Sequence, residues 1–156
     1  MDVSISQLVA VNCLMNAKED LEISARAIPA ERALWRPGGA AHHAVAIVAH
    51  SAIINMFYSS VFTGAPLSNN TQDESNAVIT SCIKMDDAIK LLQESVIQVS
   101  NAIRSISTIR MEEKMMMPWG ERRSMAQALL TPAMHMQYHE GQLNYLQMIF
   151  GDDEYH

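Results

Sequence analysis

The strongest constraint in this chain is a run of apolar residues. Cys82, Met85, Ile89, Leu92, Val96, Val99, Ile103 and Ile106 step alternately three and four, with no polar residue among them. That spacing keeps one face of a helix apolar from end to end. A helix over this span is roughly 35–40 Å long, and its stripe has to be buried against other helices. Nothing elsewhere in the chain shows the two-residue alternation of a half-buried strand, so its partners are helices too.

Three further segments supply those partners. The first runs from Ser4 to Ile28, with Leu14, Leu21, Ala25 and Ile28 at helical spacing, and closes at Pro29, whose ring resists continuation. A loop with two prolines and two glycines follows, from Pro29 to Gly39. The second helix is expected from about Ala40 to the Thr63-Gly64-Ala65-Pro66 punctuation, with a seam of His43, Ile47, His50, Ile54, Phe57 and Val61. Leu67 to Asp73 reads as loop, and Met111 to Arg123 as an irregular stretch broken by Pro118-Trp119-Gly120. Ser124 with Gln127 is a capping-box signature for the last helix. Its stripe is Met125, Leu129, Pro132, Met136, His139, Leu143, Leu146 and Phe150, with a kink expected at Pro132. That helix stops at Gly151, before an acidic tail from Asp152 to His156. One all-α domain over residues 1–156, a four-helix bundle, is the architecture these lengths predict.

Composition excludes several classes of function. Apolar residues are 49% and charged residues 18% of 156, which is a globular and not a disordered balance. A net charge of −6 has the wrong sign for a general nucleic-acid binder. Cys13 and Cys82 form no disulfide framework and no thiolate zinc site. The first ten residues lack the basic and apolar regions of a signal peptide. The longest apolar candidate for a membrane span, Ala44 to Val61, is interrupted by His50, Ser51, Asn55 and Ser59. A soluble cytoplasmic protein, with no membrane or nucleic-acid partner, is the expectation.

The residues able to carry chemistry are histidines. His135 and His139 are four apart, on one helical face, at the spacing with which two imidazoles grip one ion. Alone, such a pair is commonly incidental. His50 lies mid-seam on the second helix, between Ile47 and Ile54, where a buried imidazole needs polar partners. Core histidines bonded to carbonyls or hydroxyls are the plain alternative. Three of them facing one aliphatic interior are satisfied more economically by a shared divalent ion. Free imidazoles protonate near pH 6.5, so such an ion should be released below roughly pH 6. His43, two turns before His50, is about 10 Å away along the axis and belongs at the rim. Gln142 is three beyond His139 and can orient a ligand, and Gly141 inside the helix suggests close approach of another helix or a ligand.

Other chemistries find less support. A di-iron bundle needs repeated Glu-x-x-His, and covalent haem needs Cys-x-x-Cys-His; neither occurs. Met115-Met116-Met117 and the methionines around His135 invite copper, but methionine is more often core packing. There is no nucleophile triad or phosphate loop, and no paired-carboxylate motif.

Two stretches together resemble the DinB/YfiT-like family of metal-dependent four-helix bundles. Leu34-Trp35-Arg36-Pro37-Gly38-Gly39, followed by Ile47-Val48-Ala49-His50, is similar to the family's Trp-Arg-Pro-Gly loop and second-helix histidine. His135 to Leu146 is similar to its H-x-x-x-H-x-G-Q motif, and Pro118-Trp119-Gly120 to the turn before its last helix. Ala40-Ala41-His42-His43 stands where the family often has Trp-Ser. The resemblance implies an up-down-down-up bundle with a long crossover between helices two and three, around Thr63 to Asp73. It implies a zinc, nickel or iron ion on His50, His135 and His139, and often a homodimer. It also implies chemistry on a small-molecule substrate with a low-molecular-weight thiol, as in thiol S-transferases and a mycothiol-dependent isomerase, or hydrolysis. The competing expectation is a non-catalytic helical module, dimerising or binding a partner, with structural histidines. No helix shows a clear second apolar face in sequence, so the dimer follows from the resemblance alone.

Overall fold

The computed structural model describes residues 3–65, 72–117 and 120–154. Pro66, most of the 67–73 loop, Pro118-Trp119 and His156 lie outside the described residues. The described chain is mostly helical: α1 (Ile5–Ala27), α2 (Ala44–Thr63), α3 (Gln72–Ser81), α4 (Met85–Ser105), α5 (Met125–Ala128) and α6 (Thr131–Ile149). The four long helices share one core, with α1 packed on α4 and α6, and α2 packed on the same two.

Helix α1 starts where its capping box puts it. Ser4 Oγ accepts from the Gln7 amide, and Gln7 Oε1 accepts from the Ser4 amide. Buried Gln7 also donates through Nε2 to the carbonyls of Ile103 at 2.7 Å and Ile106 at 3.0 Å, adding to the Ile106 cap bond on the first and partnering the second at the end of α4. Leu14, Leu21, Ala25 and Ile28 are all buried. On the outer side, α1 leaves Ile5, Leu8, Val9, Met15 and Ile23 exposed, an apolar set that sequence reading did not separate from the seam. Glu22 accepts from Lys18, Arg26 and Gln93, clamping α1 to α4. Burial works against its charge, but these partners prevail and hold the carboxyl down at about 2.

The long apolar stripe is largely the core element its pattern demands, since Ile89, Leu92, Val96, Val99, Ile103 and Ile106 are buried. The helix is shorter than expected, however. It begins at Met85, and a separate helix, α3, occupies Gln72–Ser81, where loop had been expected to extend to Asp73. Asp86 and Asp87 lie in the first turn of α4, where the positive end of the helix dipole favours carboxylates.

Helix α2 differs in start and in facing. It begins at Ala44, because His43 acts as its N-cap, with Nδ1 accepting from the Ala46 amide at 3.1 Å. Burial, with Arg36 and His42 nearby, lowers the pKa of His43 and preserves that lone pair. The expected seam is not the buried face, and of its members only Ile47 is fully buried. His50, Ile54, Phe57 and Val61 lie at the edge of the core. Val48, Ala52, Asn55, Tyr58 and Phe62 face inward instead. By length and composition α2 could cross a membrane, contrary to the interrupted-run reading, although most of its residues are buried inside the protein.

Two more corrections concern the region before α6. The irregular stretch contains a small antiparallel ribbon, β1 (Lys114–Met116) with β2 (Arg122–Ser124), paired through Met115 and Arg123. Strands of three residues are too short to show an alternation. Met117 plugs into the core while Met116 stays exposed. The expected capping box of Ser124 and Gln127 is present, but it opens only the one-turn α5. Pro132 then sits in the first turn of a new helix and kinks nothing. In that position its missing N–H has no intrahelical partner to lose.

Candidate metal centre

Three imidazoles meet between α2 and α6. His135 and His139 project from one face of α6, one turn apart, toward His50 of α2. Ring centroids are 4.4 Å apart for His135 and His139, and 5.1 Å from His50 to each. One nitrogen of each ring lies within 4.8 Å of the other two. The Nε2 atoms of His135 and His139 are 3.2 Å apart. Two nitrogen ligands on a tetrahedral ion, each about 2.0–2.1 Å from it, stand about 3.3 Å from one another.

The tautomer of His139 follows from its neighbours. Its Nδ1 is 2.7 Å from Gln142 Oε1, and Gln142 Nε2 donates to the Tyr138 hydroxyl at 3.1 Å. With the amide nitrogen engaged by Tyr138, Oε1 faces the ring and can only accept. His139 therefore carries its proton on Nδ1 and turns an Nε2 lone pair into the cluster. His135 Nδ1 is buried and has no hydrogen-bond partner among the described residues.

Burial keeps the group uncharged. It pushes His135 down to about 3, aided by the adjacent His139 and His50. It pushes His139 down to about 4, with the Gln142 bond opposing, and it lowers His50 as well. A set of neutral imidazoles with a lone pair directed inward is what a divalent cation requires, so these residues fit one.

His43 is not part of the cluster, being spent on the α2 cap. Gly141 does not serve close helix packing, because a Cβ there would meet nothing within 4 Å. It opens instead on a cleft of about 520 Å³ beside the histidines, lined by Ala41, His42, Ile47, Tyr138, Gln142 and Tyr145 among others. Sequence reading overlooked Tyr138, although its place four residues before Gln142 put it on the same face. Gly141 was the one local signal of the cleft, whose far wall comes from Pro37 to His42.

No family model and no curated protein matches the sequence. Among solved structures, that of a mycothiol-dependent maleylpyruvate isomerase matches 88% of this chain with a TM-score of 0.68 at 13% identity. A histidine-to-alanine mutant of that isomerase matches the same share with a TM-score of 0.71 at 12% identity. The chain has the DinB-like fold. The match spans only 60% of the isomerase's own length. At this identity the likeness is one of fold, and within the DinB-like fold the histidine cluster described above is this chain's own observation.

Proposed function

We propose that the chain is a cytoplasmic, single-domain, metal-dependent enzyme acting on a small molecule, thiol S-transferase-like or hydrolase-like, with His50, His135 and His139 holding one divalent ion. Zinc and nickel suit the three-imidazole set, and iron is the further option. The observation that carries the reading is the convergence of three neutral rings with the tautomer of His139 locked by Gln142. A divalent ion there supplies Lewis acidity, lowering the pKa of a thiol or water so that a nucleophile exists near neutral pH.

The protein's own groups have separable roles. Gln142 holds the His139 proton at Nδ1, and Tyr138 holds the Gln142 amide. Burial disfavours protonation of the rings, and no carboxylate among the described residues joins the cluster. Net charge at the site is therefore set by the ion and by whatever the substrate brings. The mycothiol dependence of the isomerase with this fold supports a low-molecular-weight thiol as co-substrate.

The up-down-down-up order expected from the family is supported by side-chain ties. Gln7 joins the start of α1 to the end of α4, and Gln93 with Glu22 joins them further along, an antiparallel pair. Arg110, just past α4, donates to the Phe62 carbonyl at the end of α2, as parallel neighbours require. Gln147 reaches the Ser24 carbonyl, so α1 and α6 finish together. The exposed apolar face of α1 supports a homodimer.

One observation favours the reading in which the histidines are structural: a 3.2 Å hydrogen bond between neutral His135 and His139 satisfies two nitrogens without an ion. It does not account for the approach of the His50 ring, 5.1 Å from each of the other two. Metal analysis of untagged, chelator-free protein decides between the two. Close to one ion per chain, lost in His139→Ala with folding retained, is the expected result. No ion bound after dialysis against zinc and nickel, or unchanged occupancy in the variant, would refute the assignment.

A further inference from the structure

The cleft over Gly141 adjoins the histidine cluster through Tyr138 and Gln142, and its walls carry information about what enters it. Of the ten residues lining it, Pro37, Ala40, Ala41, Ile47, Gly141 and Leu146 present only apolar or backbone surface. Tyr138 and Tyr145 stand seven residues apart on α6, both 64% exposed, with Gly141 between them. The remaining two are His42 and Gln142, so among the described residues no Asp, Glu, Lys or Arg lines the cleft.

Gly141 has no structural reason to be glycine. It lies inside α6, where glycine costs about 1 kcal/mol relative to alanine. Its φ is not positive, and no neighbour approaches within 4 Å of where a Cβ would be. What the missing side chain does is leave the space between the two tyrosines open. At about 520 Å³ the cleft is in the range of small-molecule sites, roughly 300–1,000 Å³.

Charge is available in a neighbouring cleft. A second cleft, of about 540 Å³, shares His42 and is lined by Arg36 and His43. An anionic group would find its cationic partner there, away from the tyrosines. Aromatic side chains and apolar walls without formal charge recognise a flat, uncharged, apolar body, which they can stack on or bury without desolvating an ion.

We infer that the cleft over Gly141 is the substrate-side pocket of the histidine centre, and that it takes a neutral aromatic or similarly planar apolar group and rejects a carboxylate. The inference deepens the proposed function and rests on that reading for the word substrate. The binding preference itself does not depend on a metal. Tyr138 joins the two regions, since it lines the cleft, accepts from Gln142 and lies with its ring 5.1 Å from that of His139.

The test is an NMR titration of ¹⁵N-labelled full-length protein with 1-naphthol and, separately, with succinate, on metal-free and zinc-treated samples. The expected result is saturable shifting of the Gly141 and Tyr145 amides by 1-naphthol in both samples, and none by succinate at equal concentration. Gly141→Leu, which fills space that is empty and strains no backbone, should weaken 1-naphthol by about tenfold or more. Tyr145→Ser should weaken it as well. Shifts of these amides by succinate and not by 1-naphthol would overturn the inference, as would unchanged 1-naphthol affinity in Gly141→Leu. Failure of the metal assignment is read separately. In that case His139→Ala keeps its ion count while 1-naphthol still binds, whereas failure here leaves the ion count intact and the cleft empty.

Discussion

The depressed titration of His135 and His139 in the folded chain makes the metal-free protein acid-sensitive. His135 and His139 are depressed by burial to about 3 and about 4, from an ordinary value of 6.5. The unfolded chain therefore binds protons that the folded chain does not, and stability falls as pH falls. The contribution is fully present above pH 6.5 and is lost progressively from there toward the folded values near 4 and 3. Near pH 5.5 the unfolded state holds about 1.8 more protons on these two rings, a slope of about 2.5 kcal/mol per pH unit. From pH 6.5 to 5.0 the loss integrates to about 3 kcal/mol, which for a chain of this length lowers Tm by roughly 6–12 °C. His50 and His43 are shifted the same way and add to the effect. Thermal unfolding of chelator-treated protein across this range measures it. The double variant His135→Asn with His139→Asn is the control, because subtracting its profile removes the carboxylates and the other histidines. Profiles of the two proteins that run parallel within about 2 °C would refute the claim that burial keeps these rings neutral.

Three further outcomes follow from the same structure. Bound zinc should survive dialysis at pH 5 and leave only toward pH 4, since protons compete weakly for rings this depressed; loss between pH 7 and 6 would contradict that. Gln142→Leu should weaken zinc binding about 10–100-fold in a competition titration against a chromophoric chelator, whereas Gln142→Glu, which keeps the acceptor on His139 Nδ1, should not weaken it. Gln7→Leu should destabilise by about 1–3 kcal/mol in urea unfolding, because the Ile106 carbonyl loses its Gln7 donor and the Ile103 carbonyl keeps only the Ile106 amide where α1 meets α4. A change below about 0.5 kcal/mol would show that water replaces it.

How legible each element was depended on whether its sequence carried a phase. The α4 stripe is flanked mostly by polar residues, with Ile97 the exposed exception, so periodicity identifies both the helix and its buried face. In α2 nearly every position from Ala44 to Ala49 is apolar and buried, so spacing alone could not say which face was innermost. The heptad through His50 selected the edge of the core instead. That error still served the site, because an edge position is where an imidazole can be half-buried and reach the α6 histidines. Pro132 was ambiguous for a related reason: the same ring breaks a helix in its interior and opens one in its first turn, and only the turn at Leu129-Leu130 distinguishes the two.

The pairing of His135 with His139, and the position of Gln142 relative to them, are properties of one helix and were readable as spacings of four and three. What those spacings omit is the state of the rings. An imidazole pair on an exposed face titrates near neutrality and holds an ion only above about pH 6. The same pair shut against α2 stays neutral two to three units lower, with one proton pinned by an amide that a tyrosine in turn holds. The cleft is further still from any local pattern, since Pro37–His42 and Tyr138–Leu146 meet only when α2 lies alongside α6. Burial and long-range juxtaposition thus turn a common four-residue histidine spacing into a site with a defined protonation state and an apolar approach. A variant that leaves the spacing intact and exposes the rings should bind metal with the acid sensitivity of free imidazole.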